Sequence, residues 1–313
     1  MKAIVYEKYG GPEVLKFVDL DQPSPKRNQI LIRAEACSVN PVDWRLRRGD
    51  ARFVLPFGFP RVPGYDLAGV VEQCPKASGF CVGDRVAAFL DHLTGGAYAN
   101  YAVCSPSVLA KIPDHMTMQD AAAIGLAGTT AMQCLRDFGE IGRGQHVVIT
   151  GASGGVGTFA VQIAVAKGAR VTGIASGKNH DLVMSLGAER FIDYHDEDYL
   201  RALDPCDVIF DAAGKSSFSD MRPFMRPDGR FVTTEPSLKF AALSLLTALK
   251  TGRSCRTMLA RPNSRDLREL IHLWETGKLK VIRNQTFPLA EAAEAQRHGE
   301  NGNGVGKIVL TIP

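Results

Sequence analysis

The chain has no long apolar run and no block of like charges. Nowhere among its 313 residues do about 18 consecutive apolar side chains occur, so the sequence predicts no membrane span. The net charge is only +4, and the densest basic cluster, residues 45–48, is too short to indicate a nucleic-acid partner. With 45% hydrophobic and 22% charged residues, the composition is typical of a soluble globular protein.

The sequence also lacks a cysteine framework. The number of cysteines, seven, is odd. They lie scattered along the chain, and no two of them form a C-x-x-C pair. This pattern argues against a disulfide scaffold and against a thiolate zinc cluster, and it is typical of reduced thiols. The first residues lead into a strand pattern instead of the apolar core of a signal peptide. Together these observations predict a cytoplasmic protein.

What the sequence does contain is a strand, a glycine-rich turn and a helix in immediate succession. The residues VVIT predict a buried parallel strand, GASGGVG a tight turn, and TFAVQIAVAK an amphipathic helix. In register with G-x-G-x-x-G, the three key positions are Ala152, Gly154 and Gly157, of which the first is not glycine. The turn predicts a dinucleotide phosphate site, the alternative being an ordinary glycine-rich turn.

The strand that follows, residues 170–174, indicates which dinucleotide is bound. NAD-binding sites usually place Asp or Glu at the end of this strand, whereas here no carboxylate occurs before Asp181. Ser176 can donate a hydrogen bond to a 2′-phosphate, and Lys178 can neutralise its charge. We therefore predict NADPH as the cofactor, the alternative being that Lys178 is a solvated surface lysine.

Strand and turn patterns divide the chain into three regions. Residues 1–116 carry short strands between Gly and Pro turns, which predicts a β-rich, barrel-like domain. Residues 117–262 alternate strands with helices, which predicts an α/β domain with a doubly wound parallel sheet. Its first helical stretch is expected to break at Ala127-Gly128. Residues 263–313 are expected to return to the first domain, because their terminal strand needs a sheet to join.

An edge strand is expected near residues 255–260, at the end of the parallel sheet. Unpaired N–H and C=O groups on such an edge favour pairing with a second copy of the chain. We therefore predict a homodimer.

Motifs along essentially the full length carry a family resemblance. They are MKAIV at 1–5, SVNPVDW at 38–44, PGYDLAGVV at 63–71, GDRV at 83–86, GGAYA at 95–99, the glycine turn at 152–157 and GVGKIVL at 304–310. This set resembles the medium-chain dehydrogenase/reductase superfamily and, within it, the zinc-independent quinone oxidoreductases of the zeta-crystallin type. The resemblance implies a GroES-like catalytic domain joined to a Rossmann domain.

Two positions bear on whether a metal takes part. Zinc alcohol dehydrogenases of this superfamily have a cysteine where this chain has Asn40 and a histidine where it has Tyr65. Because an amide and a phenol are poor zinc ligands beside thiolate and imidazole, we predict no metal. Without a Lewis acid, the acceptor is expected to be electrophilic already. The resemblance implies NADPH-dependent reduction of a quinone or of the conjugated double bond of an α,β-unsaturated carbonyl.

The resemblance also implies which residues form the site. Asn40 and Thr129 match positions on the nicotinamide side, and Tyr194 matches a tyrosine at the adenosine phosphate. Asn40 and Tyr65 are the candidate catalytic residues, with solvent as the alternative proton donor to Tyr65. The remaining predicted cofactor contacts are Ala152, Ser153, Gly154, Gly155, Val156 and Gly157 at the pyrophosphate, Ser176 and Lys178 at the 2′-phosphate, and Ala213, Gly214, Thr233 and Thr234 beneath the nicotinamide.

Two other functions stay open on the sequence. The chain could be an NADPH-binding protein without enzymatic activity, as crystallin-type relatives suggest. It could also be an enoyl thioester reductase of specialised metabolism, although a start at Met1 without a flanking linker opposes an excised synthase domain. The retained Asn40 and Tyr65 favour an enzyme.

Overall fold

The computed structural model describes residues 1–53, 58–235, 237–248, 252–302 and 304–313. The strands are β1 Lys2–Val5, β2 Lys16–Asp19, β3 Ile30–Val39, β4 Asp66–Gln73, β5 Arg85–Phe89, β6 Tyr101–Cys104, β7 Leu109–Lys111, β8 His146–Thr150, β9 Arg170–Ala175, β10 Arg190–Asp193, β11 Cys206–Asp211, β12 Met225–Thr233, β13 Ser254–Thr257, β14 Arg283–Pro288 and β15 Lys307–Thr311. The α-helices are α1 Pro41–Arg48, α2 Met118–Gln133, α3 Gly155–Ala166, α4 His180–Ser185, α5 Phe218–Met221, α6 Leu238–Ala248, α7 Ser264–Glu275 and α8 Ala292–Glu300.

The first of two compact units is β-rich and comprises residues 1–129, 261–275 and 283–313. Its main sheet has the order β14-β15-β3-β4-β5-β7, and β6 also pairs with β3. The long strand β3 is almost wholly buried, because its apolar residues pack in the core on both faces. The terminal strand β15 runs antiparallel to β3, with Ile308 opposite Val39, so the last segment of the chain completes this sheet.

The second unit, residues 130–260 and 276–282, is built on a six-stranded parallel sheet. The strand order is β10-β9-β8-β11-β12-β13, and every neighbouring pair is parallel. Strand β8 lies in the middle and is buried along its whole length, as expected for the continuous apolar run that was read from the sequence. The strand order reverses between β8 and β11, where doubly wound sheets bind their ligands. The predicted fold class, an α/β chain with a doubly wound parallel sheet, is confirmed.

The predicted break at Ala127-Gly128 is wrong. Helix α2 continues from Met118 to Gln133 and ends in a π-helical turn, Cys134–Phe138. A Cβ atom at Gly128 would lie 3.0 Å from Leu270 Cδ1 of α7, so this glycine permits close helix packing instead of ending the helix. The helix also shifts the unit boundary to Thr129, beyond the predicted 116, because its first turns pack within the first unit.

One other element differs from the sequence prediction. The edge strand expected near residues 255–260 is Ser254–Thr257, and it pairs in parallel with β12 at the end of the sheet. Residues Tyr199–Ala202, after β10, form a short 3₁₀ turn. Residues 249–251, after α6, lie outside the described residues. No helix in the described ranges is both long and apolar enough to cross a membrane.

Candidate active site

The glycine turn joins β8 to α3 through contacts that allow no side chain. Gly151 has φ of +67°, and a Cβ atom at this position would lie 2.9 Å from Ala213 Cβ. A Cβ atom at Gly157 would lie 2.0 Å from the Gly151 carbonyl oxygen, so the first turn of α3 sits directly on the end of the strand. The first helical bond runs from Thr158 N–H to the Gly154 oxygen, 3.0 Å, and the N–H groups of the first turn precede it, an arrangement that is able to bind an anion.

The first glycine of the fingerprint is displaced by one residue from the predicted register. Gly151, not position 152, adopts the left-handed conformation that the tight turn requires. Ala152 is fully buried, and its N–H donates to the Ile174 oxygen at 3.1 Å. Sequence reasoning did not assign Gly151 a role, although a glycine directly after the buried strand was the signal for it.

Asp211, at the end of β11, ties together the strand ends beside the glycine turn. Its buried carboxylate accepts hydrogen bonds from Thr150 Oγ1 at 2.7 Å and from Thr233 Oγ1 at 3.0 Å. The N–H groups of Lys215 and Ser216 donate to the same carboxylate at 3.3 and 3.2 Å, which shapes the loop that carries Ala213 and Gly214. Asp211 was assigned no role from the sequence. The feature that could have indicated one is an acidic residue at the end of a buried parallel strand.

The residues predicted for the nicotinamide end lie around this carboxylate. The Thr233 hydroxyl donates to Asp211 and accepts the Glu235 N–H at 3.2 Å, so its proton is not available to a ligand. Thr234 N–H donates to the Asp211 carbonyl oxygen at 3.3 Å. Gly214 has φ of +65°, a conformation that favours glycine.

The predicted 2′-phosphate residues share one end of the sheet. Ser176 directly follows β9 and precedes the 3₁₀ turn Gly177–Asn179, which contains Lys178. Tyr194 directly follows β10; its N–H donates to the Ala175 oxygen at 3.2 Å, and its ring is half exposed. Asn179 Nδ2 donates to Ser153 Oγ at 2.9 Å, which connects this turn to the glycine turn.

In the first unit, Asp66 is the centre of a buried polar network. Its Oδ2 accepts hydrogen bonds from Ser38 Oγ at 2.7 Å and from Asn40 Nδ2 at 2.8 Å, and the Lys307 ammonium lies 3.6 Å away. Its Oδ1 accepts the Leu126 N–H of α2 at 2.5 Å. The carboxylate is therefore bound by three different parts of the chain, and none of its surface is exposed.

The side-chain amide of Asn40 is fixed in one orientation. Its Oδ1 accepts a hydrogen bond from Lys307 Nζ at 2.5 Å, while its Nδ2 donates to Asp66. An ammonium can only donate and a carboxylate can only accept, so the amide cannot be turned over. Burial lowers the pKa of Lys307, while Asp66 and Asp43 act in the opposite direction. Lys307 was missed as a site residue, although a lysine inside an apolar terminal strand was a signal for it.

Asp43 is a second buried acid beside this network. Its Oδ2 accepts the Asn40 N–H at 2.8 Å and the Tyr98 hydroxyl at 3.1 Å. Its Oδ1 is buried and has no hydrogen-bond partner among the described residues. Burial raises the pKa of Asp43 to about 7, with the Asn40 N–H opposing the shift and the charge of Asp66 adding to it. The carboxyl group therefore keeps its proton to a higher pH than an ordinary aspartic acid.

Tyr65 and Thr129, the other two residues predicted for this side, make different contacts. The Tyr65 hydroxyl donates to the Leu93 oxygen at 2.7 Å, and burial raises the pKa of the phenol further above its ordinary value. Its ring meets Phe89 edge to face at 6.5 Å. Thr129 is fully buried on α2, and its hydroxyl oxygen has no partner in the part of the chain that the structure describes.

A metal site is not formed by the usual ligand types in the described ranges. No three His, Cys, Asp or Glu side chains there converge on a point that could hold a metal ion. The Asn40 amide oxygen accepts a hydrogen bond from the Lys307 ammonium, and the Tyr65 hydroxyl donates one to the Leu93 carbonyl oxygen.

Two known protein families match parts of the chain. Residues 26–114 match the alcohol dehydrogenase GroES-like domain. Residues 186–310 match a family described as zinc-binding dehydrogenase. The second description is of a family, and it does not identify zinc ligands in this chain.

Curated relatives match over almost the whole chain. The chloroplast envelope quinone oxidoreductase homolog of Arabidopsis thaliana is 33% identical over 324 residues, which cover 99% of this chain and 98% of that protein. The quinone oxidoreductase of Homo sapiens is 30% identical over 328 residues, with 100% and 98% covered. The chain belongs to the quinone oxidoreductase family of the medium-chain dehydrogenase/reductase superfamily.

Solved structures of this family agree with the fold. The quinone oxidoreductase from Coxiella burnetii superposes with a TM-score of 0.93 at 32% identity and covers 100% of this chain and 99% of its own. A mycobacterial protein solved in complex with NADPH superposes with a TM-score of 0.85 at 26% identity, with 99% and 100% covered. The expected pairing of a GroES-like unit with a Rossmann sheet is confirmed.

Proposed function

We propose that the chain is an NADPH-dependent oxidoreductase that reduces quinones. The observation that carries this proposal is the glycine turn, where Gly157 lies so close to the end of β8 that a Cβ atom would be 2.0 Å from a backbone oxygen. Such a cradle leaves room for a pyrophosphate against the helix N-terminus. Relatives that are named quinone oxidoreductases, and a structural neighbour solved with NADPH, support the same activity.

The donor set of the second unit fits this cofactor. The N–H groups of the first turn of α3, residues 155–157, would bind the pyrophosphate. Gly154 lets it approach the backbone, its own N–H being bonded to the Gly151 oxygen at 2.9 Å, and Ala152 and Ser153 shape the turn. The Lys178 ammonium has no partner among the described residues, so it is free to neutralise a 2′-phosphate beside Ser176 and Tyr194. Backbone groups around Ala213, Gly214, Thr233 and Thr234 would border the nicotinamide. When bound, NADPH supplies the hydride.

We further propose that the reaction runs without zinc. Asn40 uses its amide oxygen to hold the Lys307 ammonium at 2.5 Å, so a metal ion at this oxygen would meet a second cation. The Tyr65 hydroxyl is a protonated phenol that donates a hydrogen bond to a backbone carbonyl. A protonated phenol is a poor zinc ligand. An acceptor that is electrophilic by itself, such as a quinone or a conjugated enone, suits a site of this kind.

The proton that accompanies the hydride is the second chemical requirement. Tyr65 remains the predicted side-chain donor, and its replacement by phenylalanine tests that role. The hydrogen bond to Leu93 and the raised pKa both make the phenol a weaker acid, so the geometry favours solvent as the donor. Asn40, whose amide is fixed by Asp66 and Lys307, would orient an acceptor oxygen and not give up a proton.

We also propose a homodimer in the cytoplasm. Strand β13 is at the end of the parallel sheet, and three leucines near it, Leu245, Leu246 and Leu259, are 71%, 59% and 78% exposed. Exposed apolar side chains beside an unpaired edge favour a second copy. All seven cysteines are free thiols, which supports a reducing compartment. Sedimentation of the purified chain, compared with a Leu246→Glu variant, tests the assembly.

Steady-state oxidation of NADPH with a panel of quinones, 2-alkenals, cyclic enones and enoyl thioesters tests the function. We expect turnover with quinones and with conjugated enones. Lys178→Ala should raise the KM for NADPH about tenfold while leaving that for NADH unchanged, because one charge-assisted contact is lost. Lys76→Ala, at an exposed lysine of the first unit, is the matched control. Tight NADPH binding without turnover on any acceptor would instead support the non-enzymatic alternative, and a preference for thioesters would support the third.

A further inference from the structure

Helices α1 and α8 of the first unit contact each other through polar side chains. Asp43 and Arg47 are one helical turn apart on α1, and they therefore lie on one face of that helix. Gln296 and Glu300 have the same spacing on α8. An ion pair between the Arg47 guanidinium and the Glu300 carboxylate joins the two faces. Asp43, Arg47 and Gln296 are at most 1% exposed, so this contact encloses polar groups that bulk solvent does not reach.

Much of the hydrogen-bonding capacity at this contact is unused within the chain. Asp43 Oδ1, Arg47 Nε, Arg47 Nη1 and both amide atoms of Gln296 are buried and have no hydrogen-bond partner among the described residues. Only one other buried side-chain N or O atom of the described residues lacks a partner, the hydroxyl oxygen of Thr129 on α2. The unpartnered atoms are therefore concentrated at a single helix contact.

Neighbouring side chains do not supply the missing bonds. The Tyr98 hydroxyl donates its only proton to Asp43 Oδ2 at 3.1 Å, and the Gln296 amide lies beside this hydroxyl without a hydrogen bond of normal geometry. Glu300 binds the Nη2 end of Arg47, which leaves the Nε and Nη1 protons without an acceptor among the described residues. A guanidinium keeps its charge in a protein, so these donors are not removed by loss of a proton. Buried polar groups of this kind are nearly always bonded to protein or to ordered water.

The chemistry of these atoms selects a neutral ligand that both donates and accepts. Arg47 offers only donors, the Gln296 amide offers both kinds, and Asp43 Oδ1 accepts when ionised and can donate when protonated. An added anion would meet the carboxyl groups of Asp43 and Glu300, and an added cation would meet the guanidinium. A water molecule avoids both conflicts and typically makes about three hydrogen bonds to buried groups. Five unpartnered atoms at about three bonds per molecule require about two water molecules.

We propose that the contact between α1 and α8 is an internal water site, in which about two molecules bridge Asp43 Oδ1, the Arg47 guanidinium and the Gln296 amide. The bridge supplies the hydrogen bonds that the two helices do not make to each other. It also holds Asp43, whose Oδ2 accepts the Asn40 N–H at 2.8 Å just before α1 begins. The inference goes beyond the proposed function, because it requires neither a cofactor nor a reaction.

Oxygen-17 magnetic relaxation dispersion of the full chain tests this inference, because it counts the water molecules that remain inside a protein while it tumbles. Gln296→Met keeps the length of the side chain and removes both amide atoms. We expect this variant to hold about one or two fewer internal water molecules than the unaltered chain. Gln73→Met, at the exposed end of β4, is the matched control and should leave the count unchanged. Equal counts in Gln296→Met and in the unaltered chain would overturn the inference.

Urea unfolding of the same variants separates a water-bonded amide from an unsatisfied one. Removal of an amide that is bonded to water loses hydrogen bonds, so the urea midpoint of Gln296→Met should fall below that of Gln73→Met. A midpoint higher than that of the unaltered chain would show that the amide was unsatisfied and would contradict the proposal.

A crystal structure of the unaltered chain in sodium bromide keeps the test decisive if Gln296→Met does not fold. We expect water peaks about 2.7–3.2 Å from Asp43 Oδ1, Arg47 Nη1 and the Gln296 amide, and no anomalous bromide signal beside them. A dry contact, or a bromide ion on the Arg47 guanidinium, would overturn the assignment of water.

Discussion

Replacement of Asp43 by asparagine should stabilise the first unit at neutral pH. Asp43 is wholly buried, and its Oδ2 already receives the Asn40 N–H and the Tyr98 hydroxyl. An asparagine oxygen can accept both bonds, and its NH₂ group would stand where Oδ1 has no partner among the described residues. The variant therefore imitates the protonated acid permanently.

The direction and size of this change in the free energy of unfolding follow from the pKa of Asp43. Burial raises the pKa of Asp43 from 3.8 in its ordinary range to about 7 in the folded chain. Between these values the unfolded chain has lost the proton and the folded chain still holds it, so stability falls as the pH rises through this window. The stability lost across the whole window is about 4 kcal/mol at most, since one pKa unit corresponds to about 1.4 kcal/mol. Below pH 4 and above pH 7 the contribution of Asp43 no longer changes.

Urea unfolding followed by tryptophan fluorescence measures this effect. Both tryptophans, Trp44 and Trp274, belong to the first unit, so the signal reports on the unit that contains Asp43. We expect an advantage for Asp43→Asn that is only about 1 kcal/mol at pH 4.5 and grows to about 4 kcal/mol at pH 7.5. Asp50→Asn, at an exposed position just after α1, should follow the unaltered chain. Parallel curves for Asp43→Asn and the unaltered chain would refute the buried-acid reasoning.

Three further substitutions have defined outcomes. Gly157→Ala should lower NADPH affinity by more than tenfold in calorimetry, because its Cβ would overlap a backbone oxygen, whereas Gly142→Ala, with 4.0 Å to its nearest neighbour, should not. Tyr65→Phe should keep kcat within about twofold if solvent supplies the proton, and a loss of about a hundredfold would make the phenol the donor. Lys307→Met should cost about 3–5 kcal/mol in urea unfolding, because it leaves the Asp66 carboxylate buried without its cation, and no loss would show that the ion pair is dispensable.

Local sequence patterns were sufficient for the strand, glycine turn and helix of the second unit. A buried strand, a glycine turn and a helix follow one another in the chain, so the position of residues 154–157 depends on little else. The strand ends that carry Ser176 and Tyr194 were also predictable, because parallel strands separated by helices leave the sheet at one edge. The continuity of α2 through Ala127-Gly128 was not predictable. A glycine that ends a helix and a glycine that allows Leu270 to pack closely look the same in the sequence.

The buried polar network of the first unit depended on residues that are far apart in the chain. Asn40 was recognised by its motif, but its partners Asp66 and Lys307 come from β4 and β15, and no spacing rule connects them. The same holds for Asp193, whose carboxylate fills the space beside Gly177 although the sequence near Gly177 has no acid.

The sequence by itself determined the order of strands and helices, the two kinds of domain and the place of the glycine turn, because each of these depends on side-chain periodicity or on the backbone freedom of nearby glycines. Only the tertiary structure decided which charges meet and which protons they hold. Burial and pairing set the pKa of Asp43 and the orientation of the Asn40 amide, and both are properties of the folded chain.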